Sequence, residues 1–104
     1  MIRILSALCL SWAMASGSVV WADAAQDFQN ATIAYEKQDY TTALKLFKSL
    51  AEQGHVKAQH NLGFMYANGE GVAQDYSKAV EWLTKAAGQG HKKAQEALKW
   101  LNKQ

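Results

Sequence analysis

The 104-residue chain contains no proline and a single cysteine, Cys9. No proline therefore interrupts the apolar periodicities described below. A lone cysteine forms no intrachain disulfide, so the stapling common in small exported domains is excluded and stability rests on packing. No stretch alternates polar and apolar residues with the period of a strand. Charge of one sign is also scarce, with 11 Lys/Arg against 9 Asp/Glu. Basic residues this sparse do not argue for nucleic acid as a partner.

The N-terminus has a short basic start, Met1-Ile2-Arg3, and then an uncharged, mostly apolar run from Ile4 to Val20. Val20 and Ala22 are the small residues at the two positions a signal peptidase reads. The pattern predicts a secretory signal over residues 1–22, cleaved after Ala22, with Ala24 as the second site. The apolar run sits at the lower edge of what spans a bilayer, so the expected membrane contact is transient. Cys9 follows Leu8, where a lipidation signal wants a small residue. Cleavage removes Arg3 and Cys9 and leaves residues 23–104 close to neutral, with no cysteine.

The rest of the chain repeats itself. Positions 38–59 recur at 74–95 without a gap, and 11 of the 22 pairs are identical. Tyr40, Ala43, Leu44, Phe47, Leu50 and Ala51 follow the spacing of one helical face, and Tyr76, Ala79, Val80, Leu83, Ala86 and Ala87 do the same. Asp39 and Asp75 stand where a carboxylate caps a helix. Gly54 and Gly90 stand where a left-handed residue ends one. Ala58, Leu62, Met65 and Tyr66 give the next helix its buried side. Ala94, Ala97, Leu98 and Leu101 do so for the last helix, and Phe28, Ala31, Ala34 and Tyr35 for the first. The sequence thus predicts five helices in antiparallel pairs, at about 24–36, 40–52, 56–67, 76–87 and 91–102. Gly63 falls inside one of them, which predicts a neighbouring helix crossing tightly over it.

The second copy resembles the Sel-one-like repeat family, relatives of the tetratricopeptide repeats. It carries Ala58, Leu62-Gly63, Tyr66, Gly69-Glu70-Gly71-Val72, Asp75, Lys78-Ala79, Trp82, Ala86-Ala87 and Gly90 in the family's order. Ala73 replaces a frequent proline, and Leu83 an expected aromatic. The resemblance divides the mature chain into a degenerate first unit (23–54), a full unit (55–90) and a capping helix (91–104). It implies an all-α, short antiparallel helix-pair solenoid that binds a protein or peptide, as an adaptor or scaffold in the bacterial envelope. The expected location is the periplasm, with secretion as the second choice. Cysteine-rich secreted relatives are linked to weak beta-lactam binding or hydrolysis, and this chain lacks their cysteine pairs. A weak cell-wall or beta-lactam-related hydrolase is therefore kept as an alternative, as is a structural module that self-associates weakly through its ends.

No residue pattern favours chemistry or a cofactor. Gly69-Glu70-Gly71 lacks the lysine and hydroxyl of a phosphate loop, follows a helix, and carries a negative charge at its centre. It reads as a connector with Val72 tucked inward. His55 and His91 take equivalent places at helix starts and His60 is alone on its face, so no metal site is expected. Ser49 and Ser77 have no base at a telling spacing, and Asp75 and Glu81 read as cap and surface. Lys92, Lys93, Lys99 and Lys103 make a mild basic patch that suits an anionic lipid or an acidic partner. Trp82 and Trp100 read first as core or seam residues.

His60, Asn61, Phe64 and Asn68 lie off the buried stripe of the middle helix. Phe28, Phe64 and Trp100 recur at 36-residue spacing, as an aromatic ladder that either packs along the stack or lines a groove. The candidate partner-binding set is His60, Asn61, Phe64, Asn68 and Trp100. The exported protein is expected to begin at Asp23, or at Ala25 if the second site is used. N-terminal sequencing that finds Met1 on the mature chain overturns the signal reading.

Overall fold

The computed structural model describes residues 24–104, and the expected leader and Cys9 fall outside them. Five helices run in order: α1 over 24–36, α2 (Tyr40–Glu52), α3 (Val56–Asn68), α4 (Tyr76–Gly88) and α5 (Lys92–Leu101). α2 packs on α3, α3 on α4 and α4 on α5, making an antiparallel helix-pair solenoid. Each bound lies within one residue of the expected one. No described helix is long and apolar enough to cross a membrane.

The connections explain the accuracy of those bounds. Asp39 and Asp75 accept the amide hydrogens of Thr42 and Lys78 at 3.3 and 3.1 Å, satisfying donors that a helix start leaves free. Gly54 and Gly90 adopt φ of 92° and 91°. Their amides donate to Ala51 and Ala87, and those of His55 and His91 donate to Leu50 and Ala86. This is the paired bonding that closes a helix through a left-handed residue. The α1–α2 turn closes identically, through Asp39 N–H to Ala34 and Gln38 N–H to Tyr35, with Gln38 at φ 64° in the glycine position.

Ala43, Phe47, Leu50 and Ala51 of α2, Ala58, Leu62, Met65 and Tyr66 of α3, and Ala79 and Leu83 of α4 are buried. Gly63 lies at the α3–α4 crossing. A Cβ there would stand 2.7 Å from Leu83 Cγ and 3.2 Å from the Ala79 carbonyl oxygen, so only hydrogen fits.

The glycine connector docks on the preceding unit. The Tyr35 hydroxyl donates to the Glu70 carboxylate, 3.0 Å from either oxygen. Burial, this hydrogen bond and the Glu70 charge push the Tyr35 pKa up to about 12. Gly71, at φ 73°, lies so close to Tyr40 that a Cβ would come within 2.6 Å of its carbonyl oxygen. Val72 is half-buried against the core. A second tie runs along the other edge. Buried Gln59 donates to the Ala51 carbonyl at 3.1 Å and accepts from Gln89 at 2.9 Å. Gln95 repeats the first half of this arrangement with the Ala87 carbonyl at 3.2 Å.

Two expectations about the stripes are corrected. Tyr76 is 47% exposed, although its counterpart Tyr40 packs on Tyr35 with ring centroids 5.2 Å apart. The longer connector brings no aromatic to Tyr76, whose hydroxyl instead accepts from Gln74. On α5 only Ala94 is buried, while Ala97, Leu98 and Leu101 are partly covered, because α5 has α4 on one side and no described helix on the other.

Gly63→Leu is expected to destabilise the domain by about 3 kcal/mol or more, although helix propensity alone would favour it by up to ~1 kcal/mol. The corresponding fall in Tm is about 12 °C or more, and an unchanged melting curve refutes the close crossing. Gly71→Ala should cost at least twice as much as Gly90→Ala, which meets no neighbour within 4 Å and carries only backbone strain of about 1–2 kcal/mol. Equal losses in chemical denaturation would contradict the docking of the connector on Tyr40.

Candidate functional site

The first helices of the pairs, α1, α3 and α5, supply most of a strip of three adjoining hollows. A small one of about 150 Å³ is lined by Thr32, Tyr35, Phe47, Asn61 and Phe64. Phe64 also borders the second, of about 290 Å³, with Ala67, Asn68, Leu83, Ala97, Trp100 and Leu101. Thr32 and Asn61 also border the third, an open hollow of about 630 Å³ shared with Phe28, Lys57, His60, His91, Lys92 and Lys93. All five candidate partner-binding residues thus border one continuous strip: His60 and Asn61 at one end, Phe64 in the middle, Asn68 and Trp100 at the other.

The aromatic ladder does not hold together. Phe64 is 43% and Trp100 58% exposed, and both border the second hollow. Trp100 is therefore a surface residue rather than a core or seam one. Phe28 borders the third hollow instead, edge-on to Phe47 at 5.8 Å and stacked on His55 at 4.8 Å. The reason is connector length. Residues 37–39 join α1 to α2, whereas 69–75 join α3 to α4. Matched end to end, α1 (24–36) and α3 (56–68) therefore correspond at a spacing of 32 residues, which sets Phe28 level with His60 rather than Phe64. Trp82 stays partly buried against the core, with Lys85 Nζ 4.4 Å above its ring.

His60 is not alone on its face. Its ring lies 4.9 Å from Phe64 and 4.7 Å from His91. Burial, then the neighbouring His91 and Lys93 charges, push its pKa below the ordinary imidazole value. Its Nδ1 is buried without a hydrogen-bond partner. His55 differs: its Nδ1 accepts the Ala58 amide hydrogen at 3.2 Å and so caps α3.

The expected basic patch divides. Lys92 and Lys93 border the third hollow, and Lys99 and Lys103 do not. Lys57 and Thr32 were not picked out in the sequence. Lys57 had a signal, since Lys93 occupies the same position one repeat later and helix stacking gives no reason for a lysine there. Ser49 Oγ is engaged with Gln53 Nε2 at 3.4 Å. Among the described residues no three His, Cys, Asp or Glu side chains converge as metal ligands would.

Comparison with known proteins accounts for this architecture. A crystal structure of a Sel1 repeat protein from Oxalobacter formigenes aligns with a TM-score of 0.72 at 39% identity, over 75% of this chain and 24% of that one. A protective antigen present in uropathogenic Escherichia coli strains, displaying an SLR fold, aligns at 0.70 and 36% identity, over 80% of this chain and 19% of its own. An uncharacterized protein of Neisseria meningitidis serogroup B is 56% identical over 34 residues, which is 33% of this chain and 7% of that protein. This chain therefore spans about a quarter or less of the length of these relatives. The Sel1 repeat model matches residues 33–55 and 56–91, more than half of the sequence and across both helix-pair junctions. With these repeats and this helix-pair stack, the chain belongs to the Sel1 repeat family.

Proposed function

We propose that this chain is a non-enzymatic binding module that holds an extended protein or peptide segment along the strip bordered by α1, α3 and α5, as an adaptor or scaffold in the cell envelope. Sel1 and tetratricopeptide-like repeats act as protein–protein interaction scaffolds. The observation that carries the reading is the pair of exposed aromatic rings, Phe64 and Trp100, bordering one apolar hollow with the more buried Leu83, Ala67 and Ala97. Large rings left in water at the edges of an apolar depression are typical anchors for a partner's side chain. Asn61 and Asn68 stand beside them with amide groups able to hydrogen-bond a peptide backbone. The envelope location, periplasmic first and secreted second, is supported by the basic start, apolar run and small residues within 1–22.

Peptides selected from a random library on the immobilised protein provide the probe. Phe64→Ala and Trp100→Ala are each expected to weaken the selected peptides about tenfold or more in fluorescence polarisation, the range of an interface anchor. Both positions are exposed, so circular dichroism should show unchanged helix content. Binding indifferent to both substitutions would place the partner elsewhere on the molecule.

A further inference from the structure

Equivalent histidines begin α3 and α5 but do different work. His55 caps its helix through Nδ1. His91 makes no side-chain cap bond to α5, and its ring lies 4.7 Å from His60 instead. The buried Nδ1 of His60 has no hydrogen-bond partner. Beside this pair opens the largest of the three hollows, about 630 Å³. Lys57 and His60 face it from α3, and His91, Lys92 and Lys93 from the start of α5. α1 adds Phe28 and Thr32, which carry no charge, and among the described residues no carboxylate lines the space.

We propose that this hollow is a proton-coupled binding site for the carboxylates of an acidic peptide segment. The proposal rests on reading the strip as a peptide-binding surface, and it names the chemistry of the strip's basic end. Groups able to carry positive charge converge here without a counter-charge, so an incoming carboxylate relieves their mutual repulsion. A protonated imidazole donates from both nitrogens and a neutral one from only one. Proton uptake by His60 therefore adds both a charge and a donor beside the ligand.

In the empty hollow the sign runs the other way. The His60 pKa is held below its ordinary value, so the neutral ring contributes stability above that value. This contribution is lost as the pH falls and the unfolded chain takes up the proton first. A bound carboxylate offsets that loss, so affinity rises as pH falls. A peptide is named rather than a small anion because Thr32 and Asn61 join this hollow to the apolar part of the strip.

Titration with a tetraglutamate peptide at pH 7.5, 6.5 and 5.5 in low salt tests the site. Glutamate stays ionised over that range, its pKa being about 4.3. NMR is expected to show the His60 and His91 ring signals moving, with affinity rising about tenfold across the range, less than the tenfold per pH unit that full uptake of one proton would give. The peptide should also raise Tm more at pH 5.5 than at pH 7.5. Lys93→Glu should abolish the effect, whereas Lys45→Glu, the same charge change on an exposed position of α2, should leave it intact. His60→Gln should flatten the pH dependence.

Binding that ignores pH, or that survives Lys93→Glu, overturns the proposal. So does inorganic phosphate moving the ring signals as strongly as the peptide, because that marks a small-anion site. If tetraglutamate fails while library peptides still depend on Phe64, the acid site falls and the apolar strip stands. If tetraglutamate behaves as expected while library peptides ignore Phe64 and Trp100, the acid site stands and the wider strip reading falls.

Discussion

The contact on which the rest of the stack depends is the α3–α4 crossing, where Leu83 occupies the space a side chain on residue 63 would need. With only hydrogen at that point, the two helices come near enough to bury Ala79, Leu83, Leu62 and Met65 together. The same contact fixes how α3 is rotated. Successive helical residues point about 100° apart, so holding Gly63 against α4 turns Phe64 outward, where it is left in water. Packing and exposure on α3 are thus two results of one crossing, and the aromatic wall of the strip follows from the core beneath it.

The remaining units are held by hydrogen bonds that reach across the repeat boundary. Gln59 and Gln89 link the ends of α2 and α4 through the Ala51 carbonyl. Tyr35 and Glu70 link α1 to the connector after α3. These ties lie on opposite edges of the stack, and each satisfies a polar group that burial would otherwise penalise. Between them runs a narrow core built largely of alanine, filled out by Phe47, Leu50, Leu62, Met65 and Tyr66. In so small a domain, satisfying these polar groups matters as much as the apolar area beneath them.

Helix number and limits were legible in the sequence, because the caps recur as Asp39 and Asp75 and the stops as Gly54 and Gly90, and these act locally. Gly63 was legible as well, since a glycine inside a helical stripe demands a reason. Relations between unlike units were not. A uniform 36-residue spacing placed Phe28 with Phe64, but the shorter first connector slides α1 by about one turn. His60 was read as isolated because its neighbour His91 lies 31 residues away, on a different helix. The repeat made His55 and His91 look equivalent, yet only His55 caps its helix. Trp100 looked like a seam residue because its surroundings depend on what covers α5, which periodicity does not report.

The bond between Tyr35 and Glu70 gives the stack a fixed order. The connector glutamate needs a hydroxyl on the preceding first helix, and only α1 offers one there: the matching position on α3 is Ala67. A second copy of the 55–90 unit spliced in tandem would set its own glutamate against a methyl group, leaving it only the bond from Asn68 within its own unit. The two units are therefore not interchangeable parts. The first is a dedicated leading piece whose tyrosine is matched to the loop behind it, and lengthening this solenoid by duplication would require changing residue 67 as well.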